Sequence, residues 1–339
     1  MSTGDSRASD TIDGEAAIID LLRPLATDPA ALGLADDCAA LSPRPGMDIV
    51  LKTDPIAEGV HFLAGDAPEA IAWKALAVNV SDLAAKAARP LGYLMALSFP
   101  APPRRAWLQD FAAGLKAAQD AFGMTLLGGD TDRRPGPITV SITVLGEAPK
   151  GRMVRRATAQ PGDVLFVSGS IGDAGLGLQL CQTPRLAEAW GLEAAQAAFL
   201  RRRYHRPEPR LALREALRAA AGAAMDVSDG LVKDLGRMAA ASHTSAEIRL
   251  EDVPLSAPAR AVLAVRPELH AGLVAAGDDY EVLAAVPEGK ARDFAELAAR
   301  AGVEVGRIGR MLPDGDGAVS VLDRQGSRLT IERSGWDHF

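Results

Sequence analysis

The sequence is poor in cysteine and in aromatic residues, and both shortages limit what the protein can be. Cys38 and Cys181 are the only cysteines among 339 residues, and no C-x-x-C pair occurs. Five histidines are scattered without the spacing of a zinc site, so a soft-metal centre is excluded. Aromatic residues make up only 4%, so the cores must be built mostly from Ala, Leu and Val.

An excess of basic residues and a long apolar run are also missing. The net charge of −7 and the pI of about 5.4 argue against broad binding to nucleic acid or to anionic membranes. We find no signal peptide and no apolar run long enough to span a bilayer, so we expect a cytoplasmic protein without a membrane partner. If the ligand is a phosphate ester, an acidic protein has to bind an acidic ligand, and divalent cations would resolve that conflict.

The usual phosphate-binding motifs are absent as well. There is no Walker A motif and no kinase HRD or DFG set. The glycine-rich stretch Gly169–Gly177 follows an expected strand, but it fits neither G-x-G-x-x-G nor G-x-x-x-x-G-K-[ST]. On its own it is weak evidence for a phosphate site.

The most informative stretch that is present runs from Asp226 to Leu231. A short apolar run ends in Asp226, and the next residues are Val, Ser228, Asp229 and Gly230. We interpret this as a strand entering a helix, with Ser228 or Asp229 near the N-cap. The carboxylates could hold a hard cation and the free N–H groups a phosphate. The stretch alone also fits a capped helix with acidic residues at its positive end, and both interpretations stay open here.

Aspartates beside small residues recur along the chain, often where an apolar run stops. If the fold brings them together, their mutual repulsion is large unless cations lie between them. Such a cluster would be a site for several Mg²⁺ ions, and its natural ligand is a nucleoside triphosphate. The aspartates in question are Asp37, Asp54, Asp82, Asp130, Asp226 and Asp229.

Helical and strand patterns mix in both halves of the chain, which predicts a two-domain α/β (α+β) protein. We assign 1–14 to a disordered tail, 15–149 to an N-terminal domain and 150–339 to a C-terminal α/β domain, because Lys, Arg, Gly and Pro cluster between 149 and 161. In the first domain we expect helices near 15–25, 68–88 and 104–122, and strands near 48–54, 91–99, 124–127 and 138–144.

Six short motifs, taken in order, closely resemble the thiamine-monophosphate kinase family. The resemblance runs from about residue 15 to the C-terminus, and the ordered set is more specific than any single motif. The Gly-Val-His-Phe and Asp-His-Phe segments separate it from relatives such as aminoimidazole ribonucleotide synthetase. The motifs are Lys52-Thr53-Asp54 with Glu58–Phe62, Asn79–Ala85, Gly128–Thr131, Asp226–Leu231, Gly277–Glu281 and Gly335–Phe339.

The resemblance implies a fold, a reaction and a site. The fold is that of aminoimidazole ribonucleotide synthetase, with the N-terminal sheet pairing with its twin across a homodimer. The reaction is Mg²⁺-dependent transfer of the ATP γ-phosphoryl group to thiamine monophosphate. The implied Mg²⁺ ligands are Asp37, Thr53, Asp54, Asp82, Asp130, Asp226 and Asp229; the implied ATP contacts are Gly129, Asp130, Arg156 and Ser228; and the implied thiamine monophosphate contacts are His61, Asp278 and Trp336.

The chemistry suits that reaction without a general base. The nucleophile would be a phosphate oxygen that is already ionised near neutral pH. Catalysis would then consist of in-line positioning and of charge neutralisation by Mg²⁺ and Arg156, with Asp130 as the second catalytic residue. An arginine suits this role because its planar fork matches phosphate oxygens.

The chain departs from the family pattern at several places. Lys52 stands where the family has a small hydroxyl residue, and an ammonium cannot ligate Mg²⁺. Asp278 is one methylene shorter than the usual Glu, which puts its substrate contact in doubt. Lys86 and Ala87 replace an apolar residue and a glycine, and Ala35 replaces another glycine. None of these changes removes a metal-binding aspartate, so we expect an active enzyme.

Alternatives stay open at the level of sequence. His61 could be a surface loop residue, Asp82 could lie on an exposed helix edge, and Arg156 lies in a basic linker where one solvated arginine resembles another. For the whole chain, the alternatives are a non-catalytic Mg-ATP-binding dimer or another ATP-dependent enzyme of the same superfamily.

Overall fold

The computed structural model describes residues 11, 12, 14–313 and 315–337, and its mixed α/β character confirms the expected fold class. The chain divides into two compact units. The first comprises residues up to Asn79 together with Pro90–Glu147, and the second comprises Val80–Arg89 together with Ala148 and the residues after it. The break after Glu147 lies close to the expected boundary at 149/150. We divided the chain into consecutive segments, and such a division could not show that 80–89 groups with the second unit.

The first unit is built on a four-stranded sheet in the order β1-β4-β2-β3. β2 and β3 pair in parallel, and the register shifts between Tyr93 and Leu94. The strands are β1 (Met47–Ala57), β2 (Arg89–Phe99), β3 (Thr125–Arg133) and β4 (Thr139–Pro149), and the helices are α1 (Glu15–Leu22), α2 (Pro68–Ala85) and α3 (Arg105–Phe122).

Helix α3 covers one side of this sheet. Its apolar stripe includes Phe111 and Leu115, which are fully buried. Trp107 meets the ring of Phe99 edge-on at 5.6 Å. The Tyr93 hydroxyl on β2 donates to Gln119 Oε1 at 2.7 Å, so the one buried phenol of this strand is hydrogen-bonded.

The strand residues that alternate with the buried ones are exposed. On β1, Leu51 is 64% exposed between the buried Val50 and the half-buried Lys52, and on β2, Leu94 is 41% exposed. Alternation along a strand places such residues on the sheet face opposite the buried side chains. The first unit therefore presents apolar side chains on the face that α3 does not cover.

Two residues of the expected N-terminal tail are packed. Thr11 bridges to Arg104, and the Ile12 N–H donates to the Pro103 carbonyl at 2.9 Å. Ile12 is only 2% exposed, so burial of its apolar side chain holds a segment that we expected to be disordered. Residues 1–10 lie outside the described part of the chain.

The second unit is built on a six-stranded sheet in the order β10-β7-β9-β5-β8-β6. β10 pairs in parallel with β7, and the other pairings of this sheet are antiparallel. The strands are β5 (Val164–Ser168), β6 (Ala223–Val227), β7 (Ser245–Arg249), β8 (Glu281–Val286), β9 (Val305–Leu312) and β10 (Val319–Leu322).

Helices cover both faces of this sheet. Along β5, Leu165 and Val167 join one core, and Val164 and Phe166 join the other, as the period of two requires. The helices of this unit are α4 (Asp173–Gln182), α5 (Leu186–Ala189), α6 (Ala194–His205), α7 (Arg214–Ala220), α8 (Leu231–Ala241), α9 (Ala257–Val265), α10 (His270–Leu273) and α11 (Ala291–Arg300). Across the described ranges, no helix combines the length and the apolarity that crossing a bilayer requires.

Candidate active site

The Asp226–Leu231 stretch is a strand-to-helix junction, as expected, but its cap differs. Asp226 lies inside β6, and the residue before α8 is Gly230 rather than Ser228 or Asp229. Gly230 has φ +124°, and a Cβ there would lie 2.7 Å from the Ala275 carbonyl oxygen. Close backbone approach and an unusual φ therefore both require glycine at this position, and no side chain caps the helix there.

The free amides expected at this junction are occupied by Asp234. One oxygen of this carboxylate, Oδ2, accepts the N–H groups of Ser228 and Asp229, both at 2.9 Å. The prediction that these N–H groups could hold a phosphate is therefore wrong. Asp234 is fully buried on α8, and burial raises its pKa to about 6 despite the two N–H bonds and the nearby Arg237, which favour the carboxylate.

Arg237 bridges the two carboxylates of this junction. Its NH1 nitrogen lies 2.5 Å from Asp229 Oδ2 and 2.9 Å from Asp234 Oδ1. Lys233 Nζ lies further from Asp229 Oδ2, at 3.9 Å. Sequence reasoning missed both Asp234 and Arg237. Asp234 could have been noticed, because a charged residue that lies beside Leu235 and one turn after Leu231 falls within the apolar stripe of the helix and needs a partner there.

The C-terminal tail docks on the same junction through its backbone. The Trp336 N–H donates to the Asp229 carbonyl at 2.8 Å, and the Lys233 N–H donates to the Ser334 carbonyl at 3.0 Å. Lys233 Nζ donates to the Trp336 carbonyl and lies 3.4 Å from the Asp337 carboxylate. A Cβ at Gly335 would lie 2.5 Å from the Asp229 carbonyl oxygen, so the tail needs glycine there. His338 and Phe339 lie outside the described residues.

The Gly277–Glu281 segment packs against the junction from another side. The Asp278 N–H donates to the Ser228 carbonyl and the Tyr280 N–H to the Val227 carbonyl, both at 2.8 Å. Asp278 and Tyr280 have φ values of +70° and +51°, which are strained for residues other than glycine. The structure thus places predicted substrate-binding Asp278 beside predicted ATP-binding Ser228, in a loop held by two backbone bonds.

Buried ion pairs to Glu281 hold this segment in place. Oε1 of the fully buried Glu281 accepts bonds from Arg203 at 2.7 Å and from Arg210 at 2.5 Å, and Oε2 accepts the Ser168 hydroxyl at 2.6 Å. Arg203 also donates to the Asp279 carbonyl at 3.1 Å. Since a buried carboxylate is costly without such partners, Glu281 is a structural anchor of the loop that carries Asp278.

The glycine-rich stretch before α4 serves packing. The Gly172 N–H at the helix start donates to Asp279 Oδ2 at 2.7 Å, and the Ala174 N–H donates to Oδ1 at 3.3 Å. Complete burial raises the pKa of Asp279 well above its usual range. A Cβ at Gly175 would lie 2.6 Å from Ala276, so these glycines admit the 273–281 segment, and a carboxylate already occupies the helix amides.

In the first unit, Lys52 and Asp54 form an ion pair on one face of β1. Lys52 Nζ lies 3.0 Å from Asp54 Oδ2, and the two side chains are 33% and 42% exposed. Thr53 points to the other face, where its hydroxyl donates to the Ile142 carbonyl at 3.1 Å and accepts the Thr143 hydroxyl at 3.0 Å. The hydroxyl of Thr53 is therefore used within the sheet.

The histidine of the Glu58–Phe62 turn is oriented by the backbone. His61 Nδ1 accepts the Ala57 N–H at 3.0 Å, which assigns the proton of the neutral ring to Nε2. The buried Lys74 on α2 donates to the His61 carbonyl at 2.8 Å. These contacts hold the turn and the imidazole ring in one orientation. A freely moving surface histidine would have no such fixed orientation.

Gly129 and Asp130 lie inside β3, although we expected the strand to end at Leu127. Met95 stands opposite Gly129 in the parallel register, and a Cβ on residue 129 would collide with the Met95 carbonyl oxygen. The strand continues through the glycines because Gly129 admits the close approach of β2. The carboxylate of Asp130 is exposed, and its Oδ1 accepts the Thr131 N–H at 2.9 Å.

Three further predicted residues are accessible or partly so. Asp37 is exposed, and its N–H donates to Asp36 Oδ1 at 2.7 Å. Asp82 is half-buried on the last turn of α2. Arg156 is exposed, and its carbonyl accepts the Ser242 hydroxyl at 3.1 Å. The structure brings Asp226, Ser228, Asp229, Asp278 and Trp336 to one junction of the second unit; Asp37 belongs to the first unit, and Asp82 and Arg156 belong to the second.

The predicted metal ligands fit Mg²⁺ by donor chemistry. They are carboxylate oxygens, and Mg²⁺ is commonly held by one or two carboxylates, water and substrate phosphates. Among the described residues, no group of three or more His, Cys, Asp or Glu side chains could hold a metal alone. Beside Asp54, the buried Asn79 donates to the Asp54 carbonyl at 3.3 Å, and its Oδ1 has no partner, which leaves an acceptor for water or a hydrated cation.

Comparisons with known proteins extend over both units. The family model of the AIR synthase related protein N-terminal domain matches residues 35–148, and that of the C-terminal domain matches residues 160–322. A thiamine-monophosphate kinase from Caulobacter vibrioides is 45% identical over 322 residues, covering 94% of this chain and 88% of the relative.

Solved structures give the same result. A crystal structure of thiamine-monophosphate kinase from Stenotrophomonas maltophilia K279a superposes with a TM-score of 0.81 at 39% identity, covering 93% of this chain and 98% of the other. A structure described as AaThiL complexed with AMPPCP and TMP superposes with a TM-score of 0.75 at 31% identity, covering 96% and 97% of the two chains.

Proposed function

Because the chain belongs to the AIR synthase related family and, within it, to the thiamine-monophosphate kinases, we propose that it transfers the γ-phosphoryl group of ATP to thiamine monophosphate. The products are thiamine diphosphate and ADP. The observation that carries this proposal is the similarity to a curated kinase of that name over nearly the whole chain. The relative complexed with AMPPCP, an ATP analogue, and with TMP supports the same pair of substrates.

The metal is Mg²⁺ in this proposal. Its ligands are Asp37, Asp54, Asp82, Asp130, Asp226, Asp229 and Thr53, with Thr53 acting through its carbonyl because its hydroxyl is bonded within the sheet. When bound, Mg²⁺ neutralises the charge on the transferring phosphoryl group. The support is their hard-oxygen chemistry and the exposure of Asp37 and Asp130.

ATP is held by Gly129, Asp130, Arg156 and Ser228. Arg156 and Asp130 are the catalytic pair. The exposed guanidinium of Arg156 neutralises phosphate oxygens as charge moves from the attacking to the leaving side. No side chain has to remove a proton, because the attacking phosphate oxygen of thiamine monophosphate is already ionised.

Thiamine monophosphate is held by His61, Asp278 and Trp336. His61 offers the Nε2–H that its backbone contact at Nδ1 leaves as the donor. Asp278 supplies a carboxylate for the cationic ligand, although the Tyr280 hydroxyl also donates to its Oδ1 at 3.2 Å. The ring of Trp336, which is 51% exposed, suits stacking on a cationic heterocycle.

A homodimer and a cytoplasmic location complete the proposal. The apolar side chains on the open face of the first unit, Leu51 and Leu94, support pairing with a second copy. The cytoplasm is the compartment that supplies ATP.

Substitution of Asp130 tests the proposed site. We expect Asp130→Ala to abolish turnover at saturating Mg²⁺ while the melting temperature changes by less than about 2 °C, because the side chain is exposed and its bond within the chain is a solvent-exposed one to the adjacent Thr131 N–H. Asp110→Ala, which removes an exposed carboxylate from α3, is the matched control and should leave turnover unchanged. Near-normal turnover in the Asp130 variant would show that the catalytic metal lies elsewhere.

A further inference from the structure

Asp229 is a proposed metal ligand, but in this structure a basic side chain of the same unit neutralises it. Arg237 NH1 lies 2.5 Å from Asp229 Oδ2, within direct ion-pair distance. The Asp229 side chain retains 21% exposure, so its carboxylate still reaches solvent. A divalent cation and the guanidinium would therefore contact the same carboxylate.

The guanidinium has a second partner besides Asp229, a buried carboxylate. The NH1 nitrogen that contacts Asp229 also lies 2.9 Å from Asp234 Oδ1, and Asp234 is fully buried. The other oxygen of Asp234 holds the N–H groups of Ser228 and Asp229. Arg237 is thus fixed by the carboxylate that shapes the turn, and this distinguishes it from an ordinary surface ion pair, which contributes little.

The Arg237 side chain is partly exposed to solvent. The side chain is 42% exposed, so the guanidinium can turn away from Asp229 and keep its bond to Asp234. A divalent cation close to Asp229 would repel it, because two positive charges a few ångströms apart interact strongly at a partly desolvated site. The metal and Arg237 are therefore alternatives at Asp229.

We propose that Arg237 is a built-in counter-cation of Asp229, which a divalent metal must displace and which therefore weakens metal binding at this carboxylate. The proposal rests on the proposed function in one respect, that Asp229 binds a divalent cation. It gives Arg237 a definite purpose: the acidic junction is neutralised while the metal is absent, and the metal binds there with a raised Kd because Arg237 must first release Asp229.

The test is a titration with Mn²⁺ alone, followed by electron paramagnetic resonance of the free ion, on the full chain without nucleotide. We expect Arg237→Gln to bind Mn²⁺ about tenfold more tightly at one site than the wild type, the size expected for removing one screened charge beside a partly exposed carboxylate. Arg237→Lys keeps the charge and should stay within about threefold of the wild type.

The matched control is Arg292→Gln, which removes the same charge from an exposed side chain on α11 and should leave Mn²⁺ affinity unchanged. Arg237→Gln binding no more Mn²⁺ than the wild type would overturn the proposal, and so would Arg237→Lys binding as tightly as Arg237→Gln. Thiamine diphosphate formation by the wild type, measured in parallel, separates this failure from a failure of the proposed function.

Discussion

Ala87 has a backbone conformation that favours glycine. Its φ is +56°, and this is a position where the family pattern has glycine. An alanine in the left-handed region costs about 1–2 kcal/mol of folding free energy. Glycine avoids this strain, but it recovers only part of the cost because it loses more conformational entropy on folding. Ala87 is also buried in an apolar core, so the lost methyl costs about 0.8 kcal/mol and offsets most of that gain. We therefore predict that Ala87→Gly is nearly neutral, with a melting temperature within about 2 °C of the wild type.

Gly123 gives the reciprocal control. It ends α3 with φ +67°, and a Cβ there would meet nothing within 4 Å, so Gly123→Ala tests conformation without a clash. It should lower stability by about 1 kcal/mol. A melting temperature for Ala87→Gly as far below the wild type as that of an ordinary buried Ala→Gly change, about 3 °C or more, would contradict the strain assigned to this position.

Single residues show where sequence reasoning succeeds and where it stops. The aspartates could be named because they stand beside small residues, several of them where an apolar run stops, and their role as metal ligands stays a prediction. Their partners could not, since Lys52 pairs with Asp54 at 3.0 Å and Arg237 with Asp229 at 2.5 Å only once the chain is folded. Lys86 is similar: its Nζ donates to the Ala224 carbonyl on the edge strand β6 at 2.7 Å, which explains a lysine where we expected an apolar residue.

The C-terminal tail is an element whose function depends on its docking. Its backbone bonds to Asp229 and Lys233 leave the Trp336 ring 51% exposed, available to a substrate ring. We predict that Trp336→Ala raises the KM for thiamine monophosphate about tenfold and changes the KM for ATP less than twofold, because a stacked cation contributes about 1–2 kcal/mol. Initial rates at varied concentrations of each substrate measure both constants.

A conservative variant makes the test of the tail sharper. Trp336→Phe keeps an aromatic face and should fall between the wild type and Trp336→Ala. Equal increases in the two KM values would remove the assigned role of the ring and indicate a general loss of tail docking.

Strands and helices were predictable where their periodicity was strong, and glycine was misleading. The pattern at 138–144 predicted β4, and that at 104–122 predicted α3. We expected the strand to end at Leu127, before Gly128-Gly129, yet both glycines lie within β3, where β2 approaches closely. Sequence alone does not show which neighbouring strand a glycine has to admit, so turn and close-packing glycines look the same.

At the scale of the whole molecule, the open sheet face predicts self-association. The wild type should have a mass in solution twice the chain mass of 35.4 kDa by light scattering. Leu51→Asp should shift it toward a monomer, because the change puts a charge on a side chain that is 64% exposed in the single chain and buried in the proposed dimer. Val265→Asp changes a 51% exposed residue of the second unit and should leave the mass unchanged. A monomeric wild type would contradict the dimer.

The grouping of the chain could not be predicted from the sequence. The boundary expected near 149–161 stays a prediction, and a division of the chain into consecutive segments could not show that Val80–Arg89 groups with the second unit. Ala85 and Ala87 join the apolar core that contains Val164 and Phe166, a contact between residues far apart in sequence. Patterns of local period carry no information about such contacts.

The central claim is the reaction, and product formation tests it most directly. The wild-type protein is incubated with ATP, Mg²⁺ and thiamine monophosphate, and thiamine diphosphate is measured by chromatography beside a sample without acceptor and one with an aminoimidazole ribonucleotide precursor. We predict thiamine diphosphate and ADP in equal amounts, only when all three components are present, and none after the metal is chelated. ADP formed equally without thiamine monophosphate, or Mg-ATP bound with no thiamine diphosphate formed, would contradict the account.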